Sequence, residues 1–126
     1  MSIEEFKAQF ETNFFSVVRM IQKVAPTMRE QGSGNIVNIS SVAGRIGLPA
    51  STAYVSSKFA VEGLSESLRY ELGQFGVNVI IIEPGVIKTN FFGSMKTAKK
   101  ANENGAYKDI TPVSYTHLTL PTIYSV

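Results

Sequence analysis

Cysteine and tryptophan are absent from this 126-residue chain, and histidine occurs once, at His117. Without cysteine there is no thiol nucleophile, no disulfide framework and no thiolate metal site. With a single histidine, no multi-histidine metal centre can form. Charge is also sparse: charged residues make up 17% of the chain, and twelve Lys and Arg against ten Asp and Glu leave a net charge of +2. A surplus that small does not make the dense basic face that nucleic acid requires, so no nucleic-acid partner is expected. No apolar run approaches the roughly 18 residues of a membrane span. The N-terminus, Met-Ser-Ile-Glu-Glu-Phe-Lys, is acidic and amphipathic and does not resemble a signal peptide. Lack of cysteine fits a reducing compartment, and the expected location is cytoplasmic. Hydrophobic residues form 44% of the chain, the composition of a globular protein. At about 150 residues per domain, the length is one domain or part of one.

The first thirty residues read as one long helix. Phe6, Phe10, Asn13, Val17, Ile21, Val24 and Met28 recur at steps of three and four, and Phe14, Val18 and Ala25 widen the stripe. Ser2 is the expected cap, with Glu4 and Glu5 facing the positive end of the dipole. Gln31-Gly32-Ser33-Gly34 ends the helix, and Pro26 is placed to kink or shorten its last turn. Residues 35–41, β-branched and bounded by glycines, read as a strand. A loop follows, and Ser51 or Thr52 opens a second helix running to about Phe75, with the stripe Val61, Leu64, Leu68, Leu72 and Phe75. Residues 77–82 are an apolar run of strand length, as expected of a strand buried on both faces. Helix, strand, helix, strand in that order argues an α/β sheet with crossover connections.

From Ile110 onward there is no Asp, Glu, Lys or Arg, while Thr, Tyr and Pro are enriched. The stretch Val113-Ser114-Tyr115-Thr116-His117-Leu118-Thr119-Leu120-Pro121-Thr122 resembles one reading frame of an adapter used in sequencing libraries. Residues 111–126 are therefore expected to be a non-native tail, the alternative being an ordinary β-rich C-terminus. Setting the tail aside removes His117 as a candidate base and leaves residues 1–110 as the domain.

Four polar residues stand where local rules would not choose them. Asn13 interrupts the apolar stripe, Ser41 ends a strand, and Tyr54 and Lys58 lie one helical turn apart on one face. A free tyrosine titrates near pH 10, so acting as a base near neutrality needs a drop of about three units, or ~4 kcal/mol. One ammonium ~4 Å away contributes about 4 kcal/mol at an effective dielectric near 20. Lys58 is thus sufficient in magnitude if the pair is shielded from water. A serine with no histidine to deprotonate it is a better hydrogen-bond donor than nucleophile, which disfavours a Ser-His hydrolase.

In this context the chain resembles the C-terminal half of a short-chain dehydrogenase/reductase. The matching stretches are Asn38-Ile39-Ser40-Ser41-Val42-Ala43-Gly44, Tyr54-Val55-Ser56-Ser57-Lys58 and Pro84-Gly85-Val86-Ile87-Lys88-Thr89. The thirteen positions from Ser41 to Tyr54, the four from Tyr54 to Lys58, and Asn13 in the preceding helix all fall in the family's register. A lone Tyr-x-x-x-Lys is weak, because any helix can carry one; in this company it is specific. The resemblance covers about residues 3 to 95. It implies a partial Rossmann-like, doubly wound parallel sheet lacking the N-terminal strands. It implies NAD or NADP as cofactor, without a choice between them, and interconversion of an alcohol with a ketone or aldehyde.

The resemblance also assigns roles. Tyr54 would be the acid/base and Ser41 would polarise the substrate carbonyl. Lys58 would lower the tyrosine pKa and hold the nicotinamide ribose. Asn13 would hold a water of a proton relay. Pro84 and Gly85 would turn the chain beside the ring, and the Ile87 backbone with the Thr89 hydroxyl would fix the carboxamide. It further implies a homodimeric or homotetrameric parent acting on a small molecule.

Each residue also has a blander reading. Tyr54 and Lys58 alone would be a surface pair, Asn13 a satisfied amide, Thr89 a helix cap and Pro84-Gly85 an ordinary turn. The competing functions are a non-catalytic fragment or binding module, and an epimerase or dehydratase relative that also uses Tyr and Lys.

The glycine-rich strand-turn-helix that cradles a pyrophosphate is not in this sequence; Gly32-Ser33-Gly34 follows a helix, the wrong context. The adenosine half is therefore expected to be missing, with the edge of the strand at 35–41 left open. Expressed alone, the 126 residues are expected to aggregate and to bind cofactor poorly. Size-exclusion chromatography with a cofactor titration checks this, and a soluble monomer that turns over NADPH would contradict it.

Overall fold

The computed structural model describes residues 1–85 and the backbone of Thr122–Ser125. Helix α1, Ile3–Phe10, opens with the capping box expected of Ser2 and the first turn. The Glu5 backbone N–H donates to Ser2 Oγ at 3.1 Å, and the Ser2 N–H donates to Glu5 Oε2 at 2.7 Å. Helix α2, Ser16–Gln31, contains Pro26 without ending there and stops at Gly32, which takes the left-handed φ of 69°. Between them the single helix expected from the periodicity is interrupted by a π-helical turn, Glu11–Phe15. The Ser16 N–H reaches back five residues to the Glu11 carbonyl, and the Ser16 hydroxyl donates to the Thr12 carbonyl. One extra residue is thereby fitted into the helix, which a 3.6-residue periodicity cannot reveal.

Strand β1, Gly34–Ile39, is two residues shorter at its C-terminal end than the sequence suggests. The Ser40 N–H still donates to the Ile82 carbonyl at 2.7 Å, but Ser41 caps a 3-10 turn, Val42–Gly44, and ends the extended run. Helix α3, Thr52–Gly73, then crosses to β2, Val77–Glu83, which pairs parallel with β1 in the register Ile36 to Val79 and Asn38 to Ile81. Strand β3, Thr122–Ser125, pairs antiparallel with the other side of β2. The sheet order is β1-β2-β3, so the described sheet is mixed, and its antiparallel member comes from the segment set aside as a tail.

The core lies between the sheet and α2 and α3. Ile21, Ile36, Leu72, Val77 and Val79 are buried together, with Val17, Val24, Ala25, Met28, Leu64 and Leu68 packed against them. Full burial of an Ile, Leu or Val side chain such as the first five contributes roughly 1.5–3 kcal/mol. The expectation that residues 77–82 are buried on both faces is met on one. Val77, Val79 and Ile81 are buried, whereas Ile80 and Ile82 are half-buried on the opposite face, where Val37 and Ile39 of β1 are exposed. Among the described residues, both α2 and α3 cover the same side, which explains the asymmetry. No helix among them is long and apolar enough to cross a membrane.

The turn from α3 into β2 rests on Gly76, whose φ of 78° brings its Cα against the Gly32 carbonyl. A Cβ there would overlap that backbone oxygen. Gly76→Ala is expected to cost more than about 1 kcal/mol, read as a lower urea midpoint with an unchanged m-value.

Candidate active site

Lys58 and Tyr54, in the first turns of α3, lie at the C-terminal end of β1, from which the chain continues to Ser41. Lys58 sits in the second turn of α3, and its Nζ donates to the Ile39 carbonyl, the last of β1, at 3.1 Å. The same Nζ lies 5.7 Å from the centre of the Tyr54 ring, within cation–π range. Burial pushes the Lys58 pKa down from its ordinary 10.5, because a desolvated ammonium is disfavoured. An ammonium has three donors, and one is spent on Ile39.

Ser41 follows two residues after Ile39. Its Oγ accepts from the Ala43 N–H at 3.1 Å, so the oxygen is oriented by the turn and the hydroxyl hydrogen remains to be donated. The Ser41 turn is tied to the next strand's exit: the Val42 N–H donates to the Pro84 carbonyl at 3.2 Å. Pro84 is thus tied by the main chain to the residue after Ser41, and Gly85 follows it. Ile87 and Thr89 lie outside the described residues.

Asn13 lies in the π-helical turn and reaches α3. Its Nδ2 donates to Ser57 Oγ at 3.1 Å and to Gln9 Oε1 at 3.0 Å, and Ser57 Oγ donates to the Tyr54 carbonyl at 2.7 Å. Asn13 therefore braces the turn of α3 that carries Tyr54 and Lys58. Gln9 and Ser57 were not singled out by sequence. The available signal was Ser57 itself, a small polar residue in a helix interior, where its hydroxyl commonly bonds a carbonyl one turn back.

Two further carboxyls lie at the same end of the sheet and were also missed. Glu83 ends β2 with 1% of its surface exposed, and Glu62 of α3 is 9% exposed. Arg45 Nη1 is 3.5 Å from Glu83 Oε1. Burial, and the Glu62 carboxyl next, push the Glu83 pKa up, while Arg45 opposes them. The signal was a charged residue closing an apolar strand and another beside Val61 in the buried stripe of a helix.

With this geometry in place, comparison with known proteins gives a consistent result. The family described as short chain dehydrogenase matches residues 1–100. An uncharacterized oxidoreductase of Bacillus subtilis is 48% identical over 92 residues, covering 73% of this chain and 33% of its own length. A short-chain dehydrogenase from Streptomyces avermitilis superposes with a TM-score of 0.75 at 38% identity, covering 86% of this chain and 40% of that one. A 7α-hydroxysteroid dehydrogenase complexed with NADH and 7-oxo glycochenodeoxycholic acid gives 0.71 at 33% identity, covering 81% and 40%. The chain belongs to the short-chain dehydrogenase family, a family of oxidoreductases with this α/β architecture. It spans 33% to 40% of the lengths of these relatives.

Asn13→Ala removes two hydrogen bonds from the brace and is expected to cost about 1 kcal/mol. Urea denaturation checks the loss, and unchanged helix content by circular dichroism shows that the π-helical turn is braced rather than created by this side chain.

Proposed function

We propose that the whole protein is an NAD(P)-dependent oxidoreductase that interconverts an alcohol and a ketone or aldehyde, with Tyr54 as acid/base. The observation that carries this reading is Lys58, half-buried, bonded to the end of β1 and set over the Tyr54 ring. Support for a nicotinamide cofactor comes from the residues present. The two Nζ donors left after the bond to Ile39 suit adjacent ribose hydroxyls. The site also lies at the carboxyl ends of parallel strands, where open α/β sheets bind their ligands. The relationship to a dehydrogenase complexed with NADH points the same way. Nothing among these residues selects between NAD and NADP.

When bound, the nicotinamide supplies the hydride acceptor or donor, and the chain supplies position and proton handling. In the reductive direction Ser41 donates its hydroxyl hydrogen to the substrate carbonyl oxygen, having already satisfied its own oxygen through Ala43. Tyr54 then delivers its phenolic proton to that oxygen as the alcohol forms. Lys58 favours the phenolate left behind and, being desolvated, is a ready proton source for restoring it. Asn13, through Ser57, keeps Tyr54 and Lys58 in register, and its place beside the helix break suits the water relay expected of it. Pro84 and Gly85 hold the exit of β2 close to Ser41, and Ile87 and Thr89 complete the proposed cofactor contacts. In the oxidative direction the same groups act in reverse. The proposed substrate is a small-molecule alcohol or carbonyl compound, and the proposed assembly is a homodimer or homotetramer.

Tyr54→Phe in the full-length protein is expected to lower turnover at least a hundredfold, the upper part of the acid–base range being about 10⁴. Cofactor affinity, measured by fluorescence titration, should change little. Retention of turnover would contradict the acid/base assignment.

A further inference from the structure

A glycine is required at a position either by a left-handed backbone or by a lack of room. Gly32, Gly34 and Gly76 have positive φ angles. Gly44 does not, so its backbone is one that other residues adopt. Gly47, Gly63 and Gly73 have open space where a Cβ would point. At Gly44 a Cβ would lie 2.5 Å from Ser40 Oγ, 2.9 Å from Glu62 Cγ and 3.1 Å from Glu62 Oε1. Gly44 is therefore needed for room alone, in the space between the exit of β1 and α3.

Neither neighbour can move aside freely. Ser40 is 2% exposed, and its N–H is held in the ladder by the Ile82 carbonyl at 2.7 Å. Glu62 is buried in α3, and its Cγ is in mid-chain rather than at a free end. Rotating the Ser40 hydroxyl away would leave the contact with Cγ. A methyl group at position 44 therefore has to move the turn.

That turn belongs to Ser41. The Gly44 N–H donates to the Ser41 carbonyl at 2.8 Å and closes the 3-10 turn that Ser41 caps. Tyr54 and Lys58 are held by other ties: Lys58 Nζ on the Ile39 carbonyl, and the Tyr54 carbonyl on Ser57, which Asn13 braces. Lifting the Ser41 turn off α3 thus displaces Ser41 against Tyr54 and Lys58 while those two stay in register.

We propose that Gly44 is a positioning residue: its missing side chain lets the Ser41 turn seat on α3, and this seating sets where Ser41 Oγ stands relative to Tyr54 and Lys58. The effect on the reaction rests on the function proposed above; the close packing does not. Real Cβ atoms essentially never approach within 3.0 Å of such neighbours, so a methyl group 2.5 Å from Ser40 Oγ moves the turn by about 0.5 Å. A misplacement of about 1 Å can cost 10²-fold in rate, and half of that about tenfold.

The test uses the full-length protein. Gly44→Ala should lower kcat about tenfold and leave cofactor affinity, read by fluorescence titration, unchanged. In a Ser41→Ala background the same substitution should cause no further loss, because its effect passes through Ser41. Adding Ser40→Ala to Gly44→Ala removes the nearest obstructing atom, which has no partner among the described residues, and should bring kcat to within about threefold of the native value. Native kcat in Gly44→Ala overturns the proposal. So does a further tenfold loss in the Ser41→Ala background, which would make the damage merely structural, and so does a double variant with Ser40→Ala that is no faster than Gly44→Ala. Should Gly44→Ala fail to fold, Ser40→Cys enlarges only the atom that faces Gly44. It should lower kcat where Ser41 is present and not where Ser41 is Ala, and an equal loss in both, or none in either, overturns the proposal. Native kcat in Ser41→Ala would place the failure in the role given to Ser41, leaving recovery of Tm by Ser40→Ala in the Gly44→Ala protein as the measure of the packing.

Discussion

The bond from Lys58 Nζ to the Ile39 carbonyl is the contact on which the rest of the site depends. It crosses from the second turn of α3 to the end of β1, and so fixes where the helix begins relative to the strand. It also draws an ammonium out of water, lowering its pKa, and places it over the Tyr54 ring. Desolvating a cation is costly unless it is paired, and a single carbonyl and one ring face are partial compensation. A fold that spends stability in this way is under-satisfied at that point, as sites often are.

Two braces keep that arrangement from relaxing. On one side the π-helical turn brings Asn13 to Ser57, whose hydroxyl continues to the Tyr54 carbonyl, so the helix break and the start of α3 are linked by side chains. On the other side the main chain of the Ser41 turn bonds the end of β2, and Gly44 admits the Ser40 and Glu62 side chains beneath it. The first brace is built on amide and hydroxyl groups that stay neutral across the working pH range. The second is built on main-chain bonds around a turn whose last residue has room for glycine alone.

Much of this was legible from residues alone. The capping box at Ser2, the glycine stop at Gly32, the α3 stripe and the parallel β1–β2 pair follow from periodicity and turn chemistry. Asn13, Ser41, Tyr54 and Lys58 stood out because each breaks a local rule. The π-helical turn was hidden because an inserted residue leaves the apolar stripe nearly intact over two turns. The early end of β1 was hidden because Ser40 still bonds in the ladder while Ser41 has turned away. The half-exposed face of β2 was misjudged because an apolar run does not say how many faces are covered, and among the described residues α2 and α3 share one. Glu62 and Glu83 were passed over because a carboxylate in sequence reads as solvent-facing, and only the fold shows it buried.

The most direct measurement is a nitrogen-15 NMR titration of the Lys58 ammonium in the full-length protein, assigned by comparison with Lys58→Arg. A desolvated ammonium held on the Ile39 carbonyl should titrate below the other lysines. A Lys58 resonance that titrates with them, at the ordinary 10.5, would mean that the ammonium is in water and that the arrangement around Tyr54 does not form.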